Sequence, residues 1–258
     1  MTDSKSLSQR RFAAFAEDYV TSKTHANGAE LDRLVAIAQP GADWHLLDIA
    51  TGGGHTALTF APHVAHVTAS DLTPRMLEKA QGFITGKGVK NVDFQLADAE
   101  NLPFDGDVFD LVTCRIAPHH FPDAFKFVQE GARVLKPGGM LLVQDHVLPD
   151  DERTADYVDA FEKYRDPSHN RAFPEYAWRG MFLDAGLTIQ HTEQLTKRHN
   201  FVDWTARQQC DAATIERLTV LLARAPQAVA AWMQPQAIGT AECTFVDHHI
   251  IIAGRKPE

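Results

Sequence analysis

Three aspartates follow three apolar runs, and a glycine turn lies beside the first of them. Asp48 precedes the turn in LLDIATGGGHTAL, Asp71 ends HVTASD, and Asp98 lies in FQLADAENLPF. A carboxylate at Asp48 favours a cationic ligand group over a pyrophosphate. Asp71 stands where an acid can accept two hydrogen bonds from ribose hydroxyls, and Asp98 can accept one from an exocyclic amine. Together the acids indicate a site for a nucleoside with a positively charged tail.

The glycines alone permit other ligands. Gly52, Gly54 and Ala57 fit GxGxxA, a pattern that also suits a nicotinamide or flavin dinucleotide. A P-loop is excluded, because no Gly-Lys-Ser/Thr follows to reach phosphates and magnesium. Asp48 and Asp98 argue against a pyrophosphate. A nucleotide-dependent oxidoreductase that uses the GxGxxA turn therefore stays the alternative, with a non-catalytic cofactor-binding protein as the third hypothesis.

A pair of histidines follows the fourth apolar run, in CRIAPHHFPD. Arg115 is expected at the carboxyl end of that strand, with His119 and His120 in the loop after it. Histidine is suited to removing a proton near neutral pH. A ring in such a loop can also pack beneath it or hydrogen-bond its backbone. The pair therefore predicts either a base or a group that positions the acceptor. A purely structural role in the loop is the alternative.

Two further segments could complete a site. Around DPSHNRAF, the side chains of Arg165, His169 and Arg171 could hold an anionic acceptor, although a solvated turn fits the same residues. In AEDYVTSKTHANG, Tyr19 and His25 could close over a cofactor. An aromatic side chain at helical spacing also suits an ordinary core, so both readings stay open there.

Composition narrows the choice of partners. The chain has 258 residues, a formal net charge of -9 and no cluster of Lys and Arg, so nucleic acid is not an expected partner. The polar start MTDSKSLSQRR and the lack of a long apolar run predict neither a signal peptide nor membrane insertion. Cys114, Cys210 and Cys243 form no metal or disulfide pattern, which indicates a reducing cytoplasm.

Alternating strand and helix patterns must position these groups. Five runs between residues 45 and 147 predict strands, namely HLLDIA, HVTAS, VDFQLA, VFDLVTC and MLLVQDH. Helices are predicted to begin near Thr56, Pro74 and Pro122, and RVLKPGG ends the last of them. AGLTIQHTEQL and AECTFVDHHIIIAGRK predict two more strands. The pattern indicates an α/β fold with about seven strands.

We expect one domain over residues 1–258, because no repeat or flexible linker interrupts the pattern. The helical segments outside the alternation are expected to form a cap over the carboxyl ends of the strands. The expected parts are N-terminal cap helices at about 7–38, a core at about 43–147, 186–197 and 241–255, and a helical cap at about 150–185 and 198–240.

The combined motifs resemble class I S-adenosylmethionine-dependent methyltransferases, in particular the small-molecule branch with the ubiquinone and menaquinone biosynthesis C-methyltransferases. The matching stretches are LLDIATGGGHTAL, VTASDLTPRMLEKAQ, VDFQLADAENLPFDGDVFDLVTCRIAPHHFPD and EGARVLKPGGMLLVQDH. The resemblance implies a Rossmann-like, seven-stranded, mostly parallel sheet with the last strand antiparallel and helices on both faces. One departure is Ala50, where the family more often has glycine.

The resemblance also implies an activity, the in-line transfer of a methyl group from S-adenosylmethionine to carbon, nitrogen or oxygen of a small-molecule acceptor. S-adenosylhomocysteine would be the product, and no metal is expected. Asp71 would bind ribose, Asp98 the adenine amine and Ala99 the ring edge, with Leu72 and Met76 packed on the nucleoside. The expected cofactor-binding residues are Asp48, Ala50, Thr51, Gly52, Gly53, Gly54, Asp71, Leu72, Met76, Asp98, Ala99, Glu100, Arg115, Tyr19 and His25.

Overall fold

The computed structural model describes residues 3–21 and 28–258, and the side chains of residues 4–13 and 29–258. Two helices precede the first strand, α1 (Asp3–Thr21) and α2 (Gly28–Ala38). The side chain of Tyr19 and all of His25 lie outside the described residues. In the described part of the chain, none of the helices has the length and apolarity needed to cross a bilayer.

Seven strands form one sheet in the order β3-β2-β1-β4-β5-β8-β7, which confirms the predicted architecture. Strands β1 to β5 run parallel, and β8 runs antiparallel to both of its neighbours. A two-residue strand, β6, pairs with β5 and was not predicted. The strands are β1 (His45–Ile49), β2 (His66–Asp71), β3 (Val92–Leu96), β4 (Phe109–Arg115), β5 (Leu135–Leu148), β6 (Phe173–Pro174), β7 (Thr188–Asn200) and β8 (Thr244–Arg255).

The helices between the strands begin within two residues of the predicted positions. Pro74 is the first residue of its helix, as expected. The helix predicted at Pro122 begins at Ala124, because Asp123 accepts a hydrogen bond from the Lys126 amide and so caps the helix. The remaining helices are α3 (His55–Phe60), α4 (Pro74–Gly86), α5 (Ala124–Val134), α6 (Glu152–Arg165), α7 (Glu175–Asp184), α8 (Phe201–Ala206), α9 (Ala212–Ala223) and α10 (Gln227–Met233).

Apolar side chains bury both faces of the sheet. One face packs Leu34, Phe60 and Ile84 against the strands. The other packs Phe127, Trp178 and Phe182. Both faces of the central strands are therefore shielded from water, which explains why those strands read as continuous apolar runs. Helix α7, which falls within the segment 150–185 predicted as cap, carries two of these side chains and therefore packs on a face of the sheet.

A separate cluster joins the cap helices to the far end of the sheet. Phe161 of α6 stacks on Trp204 of α8 with ring centroids 5.1 Å apart, and Phe245 of β8 meets the edge of that Trp204 ring. Helices α9 and α10 add Leu218 and Val229 to the same cluster. Strand β7 continues to residue 200, three residues beyond the predicted boundary, because it pairs with β8 along that whole length.

Candidate cofactor and acceptor site

A cavity lies at the carboxyl ends of the parallel strands, where ligands bind in open α/β sheets. It encloses about 990 Å³ including its open mouth. Loops after β1, β2, β3 and β4 form its walls, and α1 closes one side. Predicted residues that line it are Ala50, Thr51, Gly52, Gly53, Asp71, Leu72, Met76, Asp98, Ala99, Glu100, Arg115 and His120.

The glycine turn joins β1 to α3 through backbone conformations of the left-handed region. Ala50, Gly52 and Gly54 have φ values of 51°, 55° and 83°. A Cβ at Gly54 would lie 2.9 Å from the Ile84 side chain, so this glycine serves the close packing of the turn on α4. Gly52 and Gly53 line the cavity and Gly54 is not among the lining residues, so its cofactor contact stays a prediction.

Asp48 lies beneath the turn and is only 1% exposed. Its carboxylate accepts hydrogen bonds from the hydroxyls of Thr51 (2.6 Å) and Thr113 (2.8 Å). Burial raises the pKa of this carboxyl group to about 6. Asp48 is not among the residues that line the cavity, and its predicted contact with a cationic ligand group stays a prediction. Through these two hydrogen bonds, the carboxylate links the turn to β4.

Asp71 ends β2 and faces the cavity. One carboxylate oxygen accepts from the Thr73 amide at 2.8 Å and the other from the Gly52 amide at 3.1 Å. Burial raises the pKa of Asp71 to about 6. Because each carboxylate oxygen can accept a second hydrogen bond, the residue can hold the glycine turn and a ligand hydroxyl at the same time.

Helix α1 contributes a cation that the sequence analysis missed. The Lys5 ammonium lies 2.7 Å from Asp98 Oδ2 and 2.6 Å from Glu100 Oε2. On the same helix, Gln9 donates to the Leu72 carbonyl at 2.9 Å. A lysine in a polar N-terminal segment carries no local signal of such a contact, since it joins residues 93 positions apart. Lys5 balances the charge of two acids that were predicted to face the cofactor.

Arg115 lies at the base of the cavity, with 5% of its side chain exposed. Its Nε is 3.3 Å from the Thr56 hydroxyl, and its Nη1 is 3.9 Å from the Glu30 carboxylate. A buried guanidinium keeps its charge only with such partners. The residue therefore joins the cavity floor to α2.

The two histidines occupy different positions. His120 lines the cavity, and its Nδ1 lies 3.0 Å from the Ser168 carbonyl oxygen. That oxygen can only accept, so Nδ1 carries the hydrogen and Nε2 is left as an acceptor. Burial lowers the pKa of His120, which favours this neutral form. The Phe12 ring packs edge-on against His120, with centroids 4.9 Å apart.

His119 is 5% exposed and is not among the residues that line the cavity, and its predicted contact with an acceptor stays a prediction. Its Nδ1 is 2.6 Å from one Asp145 oxygen, and its backbone amide donates to the other at 2.7 Å. Burial lowers the pKa of His119 well below its ordinary value. The two imidazole rings lie 4.1 Å apart. His119 therefore supports the position of His120.

None of the three residues predicted to hold an anionic acceptor is among the residues that line the cavity. The Arg165 guanidinium lies over the Trp204 ring at 4.4 Å. His169 is 3% exposed, with its Nε2 2.7 Å from Asp159. Arg171 is exposed and lies 5.8 Å from the centre of the Phe173 ring. The role of these three residues in holding an acceptor stays a prediction.

Comparison with known proteins gives consistent results. A family model described as methyltransferase domain matches residues 47–143. The uncharacterized methyltransferase YcgJ of Bacillus subtilis is 40% identical over 196 residues, 76% of this chain and 78% of that protein. Its solved structure superposes with a TM-score of 0.86 and 35% identity, covering 89% of this chain and 99% of that chain. The ubiquinone/menaquinone biosynthesis C-methyltransferase UbiE of Zymomonas mobilis is 34% identical over 108 residues, 42% of this chain and 45% of that protein.

Proposed function

Because the chain belongs to the class I methyltransferases, we propose that it transfers a methyl group from S-adenosylmethionine to a small-molecule acceptor in the cavity described above. The observation that carries this proposal is the position of Asp71 and Asp98 on the wall of one cavity, at the ends of two adjacent parallel strands. Family membership does not favour the nucleotide-dependent oxidoreductase.

The lining fits a nucleoside joined to an amino acid. Asp71 has acceptor capacity left for ribose hydroxyls, and Leu72 and Met76 present apolar surface beside it. Asp98 and Ala99 also line the cavity, which supports the assignment of the Asp98 carboxylate and the Ala99 backbone to the adenine edge. The backbone of Gly52 and Gly53 permits close approach of the amino-acid part. The glycine turn is not followed by the Gly-Lys-Ser/Thr of a P-loop.

When bound, S-adenosylmethionine supplies a methyl group on a sulfonium, which leaves readily. The protein must then hold the acceptor in line and exclude water, and orientation of this kind contributes up to about 7–11 kcal/mol in favourable cases. Phe12, Phe121 and Pro122 give the cavity beside His120 an apolar wall. An acceptor that must lose a proton would donate it to Nε2 of His120.

The proposed setting is the cytoplasm, with a small-molecule acceptor and no nucleic-acid partner. The three cysteines are unpaired in the structure, as expected for a reducing compartment. The net charge of -9 disfavours a polyanionic partner.

Calorimetry tests the cofactor assignment. S-adenosylmethionine and S-adenosylhomocysteine should each bind with a stoichiometry near one, and NAD and NADP should give no signal. Tight binding of a nicotinamide dinucleotide without binding of S-adenosylhomocysteine would overturn the assignment. An acceptor screen with radiolabelled S-adenosylmethionine then tests transfer, and binding without transfer to any small molecule would favour the non-catalytic alternative.

A further inference from the structure

We propose that His146, Asp247 and His249 form a binding site for a divalent first-row transition-metal ion, separate from the cofactor cavity. Residues His146 and Asp247 also border a second cavity of about 330 Å³, which lies between β5, β8 and the cap helices. The proposal concerns metal binding and does not depend on the methyltransferase activity.

The sheet register places the three side chains together. His146 of β5 pairs directly with His249 of β8. Asp247 lies two residues before His249, so both point to the same face of the sheet. The two imidazole rings are 4.6 Å apart. Strand pairing, and not a flexible loop, therefore sets the positions of all three groups.

The distances are compatible with one bound ion. His146 Nδ1 lies 3.1 Å from Asp247 Oδ1, and His249 Nε2 lies 2.9 Å from Asp247 Oδ2. One potential ligand atom from each residue lies within 4.8 Å of the other two. A tetrahedral zinc site with bonds of about 2.0–2.1 Å separates its ligand atoms by about 3.3 Å. Small rotations of the imidazoles are enough to reach that geometry.

The site offers one anionic ligand group beside its two imidazoles. Asp247 has 10% of its side chain exposed, and its ion-pair partners among the described residues are all histidines. The nearby Lys197 ammonium is instead paired with Glu30 at 2.8 Å. A carboxylate with two imidazoles is a ligand set that binds zinc, cobalt, nickel or iron.

The surroundings of the triad resemble those of metal centres. His199 Nε2 lies 3.4 Å from Asp247 Oδ2, while its Nδ1 faces the Arg207 guanidinium at 3.4 Å. Because arginine can only donate, Nδ1 of His199 accepts, and its Nε2–H donates to Asp247. This hydrogen bond orients the carboxylate, as outer-shell groups do at metal sites. Glu162, a buried carboxylate in the lining of the second cavity, supplies a further oxygen near the site.

One polar atom of the triad is also left without a partner. His249 is 2% exposed, and its Nδ1 has no hydrogen-bond partner among the described residues. A buried ring nitrogen without a partner costs free energy. A ring rotation toward a bound ion can bring either nitrogen into coordination.

The test begins with the full-length protein after dialysis against a chelator. Cobalt(II) should bind with a stoichiometry of one and give visible ligand-field absorption, and zinc should displace it. His249→Ala and Asp247→Asn should each weaken cobalt binding more than about 100-fold. His199→Ala should weaken it by about 10- to 100-fold, as for other outer-shell groups.

His248→Asn is the matched control, because His248 neighbours two of the ligands and lines the same cavity. Its ring instead stacks on Trp232 at 3.8 Å, so cobalt binding should be unchanged. Lack of stoichiometric cobalt binding, or equal losses in the triad and control variants, would overturn the proposal. If a triad variant does not fold by circular dichroism, X-ray absorption of the cobalt-loaded wild type decides, and a spectrum without two imidazole ligands contradicts the site.

Discussion

The substitution Asp71→Asn should weaken cofactor binding without lowering the free energy of unfolding. Burial raises the pKa of Asp71 from an ordinary 3.8 to about 6. At about 1.36 kcal/mol per pKa unit, the charged carboxylate costs the native state about 3 kcal/mol at pH 8. The asparagine removes that charge. It also leaves one of the two backbone amides, at Gly52 or Thr73, without its acceptor, which costs about 1–3 kcal/mol.

The two effects nearly cancel, so the free energy of unfolding of the Asp71→Asn variant should equal that of the wild type or exceed it by about 2 kcal/mol. Affinity for S-adenosylhomocysteine should fall about 10- to 100-fold, because ribose hydroxyls lose a charged acceptor worth about 1.5–3 kcal/mol. Urea unfolding followed by circular dichroism gives the first quantity, and calorimetry gives the second. Asp93→Asn is the control, since Asp93 is 82% exposed on β3.

The pH dependence provides an independent check. A carboxyl group whose native pKa is raised binds its proton first in the folded state, so the contribution of Asp71 to wild-type stability should rise as pH falls from above 6 toward 4. The variant lacks this contribution, so its free energy of unfolding relative to that of the wild type should fall by about 2–3 kcal/mol between pH 8 and pH 4, and the variant should be the less stable protein at pH 4. A variant that is destabilised by more than about 2 kcal/mol at pH 8, or that keeps wild-type affinity, would refute the reasoning.

Three other predictions address the base, the turn and the partners. His120→Gln should lower kcat by about 10²- to 10⁴-fold for an acceptor that must lose a proton, with S-adenosylhomocysteine affinity kept. Because burial lowers the pKa of His120, the wild-type rate should rise with pH through a value below 6.5, and persistence of that limb in the variant would contradict the base role. Gly54→Ala should destabilise the fold by about 2–5 kcal/mol in urea, since φ is 83° and the new Cβ meets Ile84 at 2.9 Å. Gly82→Ala, with no atom within 4 Å of the new Cβ, should be neutral or stabilising, and equal effects of the two substitutions would contradict the packing argument. The protein should show no salt-dependent retention on DNA or RNA, and binding that weakens steeply with added salt would contradict this.

The strands of the parallel core were predictable because their signal is local. HLLDIA and VFDLVTC are apolar on both faces, as strands covered by helices on both sides must be. Boundaries were less predictable. Strand β5 begins at Leu135, five residues before MLLVQDH, because its first residue pairs with Phe109 of β4. That pairing joins distant parts of the chain and leaves no mark on the local hydrophobic pattern.

Strand order explains why the sequence could place the three acids at one edge of the sheet. The carboxyl ends of parallel strands meet at one edge of a sheet, so Asp71 and Asp98 reach the same cavity once β2 and β3 pair. The exact role of each acid could not be inferred from its position at that edge. Asp48 is buried by the hydroxyls of Thr51 and Thr113, and only the β1–β4 pairing brings Thr113 to it.

By itself, the sequence determined the α/β architecture, because this depends on periodicity. It also predicted the ligand edge of the sheet and the type of cofactor from residues at the ends of strands. Only the tertiary structure decided which side chains face the cavity. It turned His120 toward the cavity and His119 toward Asp145, and it placed Lys5 beside Asp98. Such contacts join residues tens of positions apart, so their geometry depends on packing, which the local sequence pattern does not encode.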